Sequence, residues 1–136
     1  MPAISVTTHL SQITKPYTQN LLTSIDNTHD IKIALLEGPY IFHSHPDSDE
    51  AFYLISGSLF IEILHQDGIS KQGDEDDHEE AKGRVEEVKM QAGDLFAVPK
   101  GVKHRPIGKE ARVMVIEKKG VFDGSGGLAK PVEQGL

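Results

Sequence analysis

The stretch His43-Ser44-His45-Pro46-Asp47-Ser48-Asp49-Glu50 has the residue types and spacing that can do chemistry. In a strand, residues i and i+2 point to the same face, so His43 and His45 set two imidazoles side by side. Pro46 and the polar residues after it break that strand, and Glu50 opens the next, returning a carboxylate beside the two rings. Imidazole plus carboxylate suits Fe(II), Mn(II), Ni(II) or Zn(II). An isolated H-x-H pair would ordinarily be two surface histidines on an edge strand. Here a second segment, running from Gly93 through Pro99 and Gly101 to His104, offers a third imidazole. Three neutral histidines and one ionised glutamate around a divalent ion leave a net single positive charge, which would attract an anionic or chelating ligand. Four ligands also leave positions open on a metal that prefers five or six.

Placing these groups together requires strands that turn back on one another. Ile31 to Leu36 reads as a strand ended by Gly38-Pro39. Ala51 to Ile55 and Leu59 to Leu64 are β-rich runs joined by Ser56-Gly57-Ser58, a hairpin signal. Val85 to Met90 and Asp94 to Val98 flank a turn at Ala92-Gly93, and Arg112 to Glu117 is a last strand. Gly57 and Gly93 are read as turns needing positive φ. Pro99 and Gly101 bend the chain so that His104 swings back toward His43 and His45. No segment has convincing helical periodicity. Short strands with regular turn signals predict an all-β sandwich or barrel.

The two segments resemble the motifs of the cupin superfamily. Gly38, His43, His45, Glu50 and Gly57 fall on the first motif, G-x5-H-x-H-x(3–4)-E-x6-G; Gly93, Pro99, Gly101 and His104 fall on the second, G-x5-P-x-G-x2-H-x3-N. Gly38 stands one residue closer to His43 than the motif has it, and Gly108 replaces the final Asn. The resemblance covers about residues 31–118 and extends to small single-domain cupins of the sugar-phosphate-isomerase-like subset. It implies a small double-stranded β-helix, or jelly-roll, barrel. It also implies one divalent transition metal (Fe, Mn, Ni or Zn) on His43, His45, Glu50 and His104.

Around that barrel the sequence divides simply. Residues 1–30 read as an N-terminal arm or edge strand, 31–118 as the barrel, and 119–136 as a loose tail. An acidic loop at 66–84 carries seven acids against three bases, most densely at 73–83, and reads as a solvated insertion. By strand parity Ile41 and Phe52 face the interior as candidate pocket walls, and Leu54 as core. Tyr53 has outward parity, and Tyr17 and Tyr40 are not placed by any pattern. Lys103 and Arg105 read as a solvated rim. His9, His29, His65 and His78 lack ligand spacing and read as surface or loop residues.

Composition excludes several function classes. A formal charge of −7 argues against nucleic-acid binding, and no run of about 18 apolar residues crosses a membrane. Without cysteine there are neither disulfides nor thiolate sites, and no signal peptide is visible. A cytoplasmic location follows from these features. Three functions fit. The first is a small metalloenzyme acting by oxidation, isomerisation or decarboxylation on a small oxygenated or anionic molecule. The second is a non-catalytic metabolite-binding or sensing module, and the third a barrel whose metal only ties strands together. A homodimer is expected, with part of the first 30 residues added to the partner's sheet edge.

Overall fold

A computed structural model describes residues 1–66, 83–121 and 130–131. Alternating apolar residues build its strands: β1 (Asn20–Ile25), β2 (His29–Pro39), β3 (Glu50–His65), β4 (Arg84–Met90), β5 (Leu95–Val98), β6 (Lys103–Lys118) and β7 (Lys130–Pro131). Among the described residues these form one seven-stranded sheet in the order β4-β3-β6-β2-β1-β7, with β5 paired to β3. All pairings are antiparallel except β1 with β7.

The register shows that this sheet curls into a barrel. In the β3–β6 ladder Glu50 opposes Glu117 at one end, while His104 opposes Ile63 at the other. At about 3.3 Å per residue a straight strand would hold those ends roughly 40 Å apart. Instead the Glu50 and His104 side chains touch at 2.8 Å. The inner face carries the main core, which includes Ala34, Leu36, Phe52, Leu54, Ile61, Val113 and Val115.

The expected hairpin at Ser56–Ser58 is instead a bulge within one sixteen-residue strand. Gly57 has φ +83°, and opposite it Glu110 on β6 has φ +48°, so both long strands bend at the same point. A Cβ at Gly57 would overlap the Glu110 carbonyl. A glycine between β-rich runs signals bulge and hairpin alike; a close backbone neighbour decides for the bulge.

Residues 1–30 contribute a strand, β1, and also a helix that no periodicity signals. This short helix, α1 (Val6–Ser11), is capped by the Ser5 hydroxyl, which accepts from the Thr8 N–H at 3.2 Å. Leu10 and Ile13 bury with Leu22 and Ile33 in a second, outer-face cluster, and β1 pairs with β2 of its own chain. These apolar side chains find cover within the chain. Leu10→Ala should therefore cost about 2–4 kcal/mol in urea unfolding while leaving the distant imidazoles unaffected. Of the acidic segment, residues 67–82 lie outside the described residues, as does most of the tail. No helix among the described residues is long and apolar enough to cross a membrane.

Candidate metal centre

Two backbone hydrogen bonds fasten the two motif segments together. His43 and His104 form an isolated bridge, each N–H donating to the other's carbonyl at 3.0 and 2.9 Å. The turn after β5 is tied to the same place: Gly101 N–H donates to the His45 carbonyl at 2.9 Å, and Lys100 N–H to Asp49 Oδ1 at 2.8 Å. The bend at Pro99 and Gly101 thus delivers His104 beside His43 and His45, as the spacing predicts.

The side chains then converge. One donor atom each from His43, His45, Glu50 and His104 lies within 4.8 Å of the other three. Two ligands of one ion at about 2.1 Å are at most about 4.2 Å apart, so shifts of a few tenths of an ångström close the set. The tautomers are fixed by backbone: Nδ1 of His43 donates to the Ile41 carbonyl and Nδ1 of His104 to the Val102 carbonyl, both at 2.9 Å. Both rings therefore aim Nε2 inward, with a lone pair when neutral.

Nε2 of His104 sits 2.8 Å and Nε2 of His45 3.2 Å from the same oxygen, Oε1 of Glu50. Lone pair facing lone pair is repulsive unless a proton or a cation lies between. His45 Nε2 is also buried, with no hydrogen-bond partner among the described residues. The residues present fit a divalent cation.

Electrostatics agree. Burial pushes the Glu50 carboxyl up, but the close contacts of the His104 and His45 imidazoles outweigh it and hold it well below the usual carboxylate range. Burial pulls His45 down, yet its contact with Glu50 wins and its pKa is raised. Burial lowers His43. A metal needs the rings neutral. Because His45 is held above its ordinary 6.5, protons compete for it at higher pH than for a free imidazole. Affinity for a divalent ion should therefore fall by about tenfold per pH unit once pH drops below that raised value. Titration calorimetry from about pH 8 to about pH 6 checks this; a flat affinity contradicts it.

Above the imidazoles is a narrow pocket lined by Tyr17, Gln19, Tyr40, His43, Glu50 and Phe52, among others. Its free space is about 20 Å³, on the order of one water. Phe52 is a wall, as parity predicts, with its ring 6.2 Å from that of His104. Ile41 is not. It is 53% exposed, because β2 ends at Pro39 and only an isolated bridge holds His43, so strand alternation does not extend back to Ile41. Only its carbonyl serves the site.

Four residues of the neighbourhood were not read from the sequence. Tyr17 stacks on Tyr40 with centroids 4.6 Å apart and donates its hydroxyl to the Gly38 carbonyl; burial pushes its pKa up to about 12. Gln19 brings a buried carboxamide oxygen without a hydrogen-bond partner among the described residues. Both lie in the arm, where no periodicity pointed inward. Lys32 and Glu117 form a buried ion pair, and their signal was present: Lys32 shares parity with Ala34 and Leu36, and Glu117 with Val113 and Val115. Of the remaining expectations, Arg105 is held by Glu62 at 2.8 Å and lies over the Phe42 ring. His65 pairs with Glu86 at 2.7 Å, away from the cluster, and His78 lies outside the described residues.

Comparison with known proteins gives a consistent picture. The family model described as Cupin matches residues 36–118. The chain is 34% identical over 86 residues to the uncharacterized protein YdbB of Bacillus subtilis (strain 168), a match spanning 63% of this chain and 59% of that protein. A cupin-2 domain containing protein from Shewanella frigidimarina superposes with TM-score 0.65 at 24% identity, covering 86% of this chain and 95% of the other. Hydroquinone 1,2-dioxygenase PnpCD in complex with Cd2+ and 4-hydroxybenzonitrile gives TM-score 0.63 at 18% identity, covering 93% and 76%. These two likenesses show the fold.

Proposed function

The chain belongs to the cupin family, and on that premise we propose that it is a metal-dependent enzyme acting on a small oxygenated or anionic molecule. One divalent transition metal, Fe, Mn, Ni or Zn, is held by His43, His45, Glu50 and His104. The observation that carries this reading is the convergence of imidazole Nε2 atoms on one Glu50 oxygen, with His45 Nε2 buried and unsatisfied among the described residues.

Bound there, the ion would supply Lewis-acid polarisation of a ligand oxygen and, if redox-active, oxygen chemistry. The chain's own residues do the rest. The Ile41 and Val102 carbonyls fix the ring orientations. Phe52, Leu36 and Val115 line the pocket with apolar surface. The net single positive charge of a divalent ion with these four ligands would favour an anionic oxygen over a neutral one. PnpCD, named for hydroquinone oxidation, was seen with a metal and a phenolic molecule, which supports trying phenols first.

One observation favours a second reading, a non-catalytic metabolite-binding or sensing cupin. The Tyr17 hydroxyl, an acid–base candidate at the pocket, is already donated to Gly38. Oxygen uptake by the Fe(II)-loaded protein, with hydroquinone and small hydroxy acids as trial substrates, separates the two. Turnover of any of them supports the enzyme. Saturable binding without turnover, also by the Mn, Ni and Zn forms, supports the sensor.

We also propose a cytoplasmic homodimer. The lack of cysteine supports the location. Tyr53 and Leu95, cross-strand neighbours that are 38% and 65% exposed, support a covered outer face. Light scattering that finds a monomer at micromolar concentration would overturn the dimer.

A further inference from the structure

Behind the four candidate ligands lies a second carboxylate that they do not use. Glu117 follows Val113 and Val115 on the inner face of β6 and opposes Glu50 across the ladder. One of its oxygens, Oε2, is ion-paired with Nζ of Lys32, and the two side chains are 0% and 1% exposed. The other oxygen, Oε1, is buried, has no hydrogen-bond partner among the described residues, and lies 3.9 Å from Nε2 of His45. Donors sharing one ion at about 2.1 Å sit about 3.0 Å apart at right angles and about 4.2 Å apart when opposed. The spacing of Glu117 from His45 is thus that of a co-ligand, although Glu117 lies outside the group of four.

Stability does not explain the pair. Replacing a buried ion pair by apolar residues of similar size is often neutral or stabilising. An unsatisfied buried carboxylate oxygen beside a ligand nitrogen is a further cost. Inner-face parity at both positions would be served by the aliphatic residues found elsewhere on these strands.

We propose that Glu117 is a reserve metal ligand, and that Lys32 holds it off the ion so that a coordination position and a positive charge stay available to an incoming anion. The inference rests on the metal reading of His43, His45, Glu50 and His104. With Lys32 in place, the lysine charge cancels that of Glu117, and the ion with its four ligands keeps a net single positive charge. Without Lys32, Glu117 would be free to ligate the ion, take up an open position and make the site neutral.

The test uses the untagged full chain at about pH 8 with Co(II) alone as the spectroscopic probe. Lys32→Met should bind Co(II) at least about tenfold more tightly than wild type and show an altered Co(II) absorption spectrum. Azide should perturb the wild-type spectrum and perturb that of Lys32→Met only at much higher concentration. The double variant Lys32→Met/Glu117→Gln should regain the wild-type affinity and spectrum. Unchanged Co(II) affinity and spectrum in Lys32→Met, or a double variant that behaves like the single one, would overturn the proposal. If Lys32→Met does not accumulate folded, Glu117→Gln alone decides: a reserve ligand leaves the Co(II) spectrum unchanged, whereas a changed spectrum makes Glu117 a resident ligand and overturns the reserve role. A wild type that binds no Co(II) removes the metal reading itself, whereas a wild type that binds with an unresponsive Lys32→Met removes only the role of Lys32.

Discussion

Alanine in place of His45 or Glu50 is expected to abolish metal binding, whereas His65→Ala should leave it intact. The three Nε2 atoms and the Glu50 carboxylate act as one set, and Glu50 Oε1 is the point on which His45 and His104 both converge. Structural metal sites bind with about 10–16 kcal/mol in all, so each of four ligands is responsible for roughly 3 kcal/mol, more than 100-fold in affinity. Losing Glu50 has an additional effect, because it removes the only negative charge among the ligands and leaves the divalent charge to three neutral imidazoles. His65 provides the control: it is a partly exposed residue that pairs with Glu86 on the neighbouring strand. Equilibrium dialysis with circular dichroism on the same samples checks this. A folded Glu50→Ala protein with full metal content would remove Glu50 from the site.

Gly57→Ala should destabilise the fold by at least about 3 kcal/mol, the largest loss expected from any single methyl group here. Two penalties coincide at that position. The φ of +83° is unfavourable for any side chain, and the new Cβ would overlap the Glu110 carbonyl at the bend shared by β3 and β6. Gly93 separates the two effects. Its φ is +97°, but a Cβ there meets nothing within 4 Å, so Gly93→Ala should cost only about 1–2 kcal/mol. Urea unfolding of both variants decides the matter. Equal losses would show that the close approach at the bulge contributes nothing.

The difference between these two glycines also shows what the sequence could and could not convey. Residue type and local spacing carry φ preferences and strand parity, so the turn at Gly93 and the inward Phe52 were legible. His43 and His45 do meet, with rings 4.9 Å apart, but outside any strand, where the isolated bridge of His43 to His104 rather than strand alternation holds them. The identity of the neighbouring backbone is not local information. That is why the run around Gly57 read as a hairpin, although β3 continues through it to His65. Ile41 shows a related limit: parity holds only while a ladder enforces it, and the ladder of β2 stops at Pro39. Helix α1 escaped notice because Val6, Thr7 and Thr8 are poor helix formers and Leu10 is its only buried side chain; tertiary packing against Leu22 and Ile33 outweighs propensity. Tyr17 and Gln19 reach the pocket from a segment without periodicity, so no pattern could have placed them. Lys32 and Glu117 were different: both have inward parity, but parity within one strand does not tell which charge of another strand it will meet.

The central claim is that four residues from two separated segments form one metal site, and metal analysis of the untagged protein tests it most directly. Protein purified without a histidine tag, then dialysed against trace Fe(II), Mn(II), Ni(II) or Zn(II), should carry close to one ion per chain, as expected for a single four-residue group. Protein that remains metal-free with all four ions, while folded, would contradict the account.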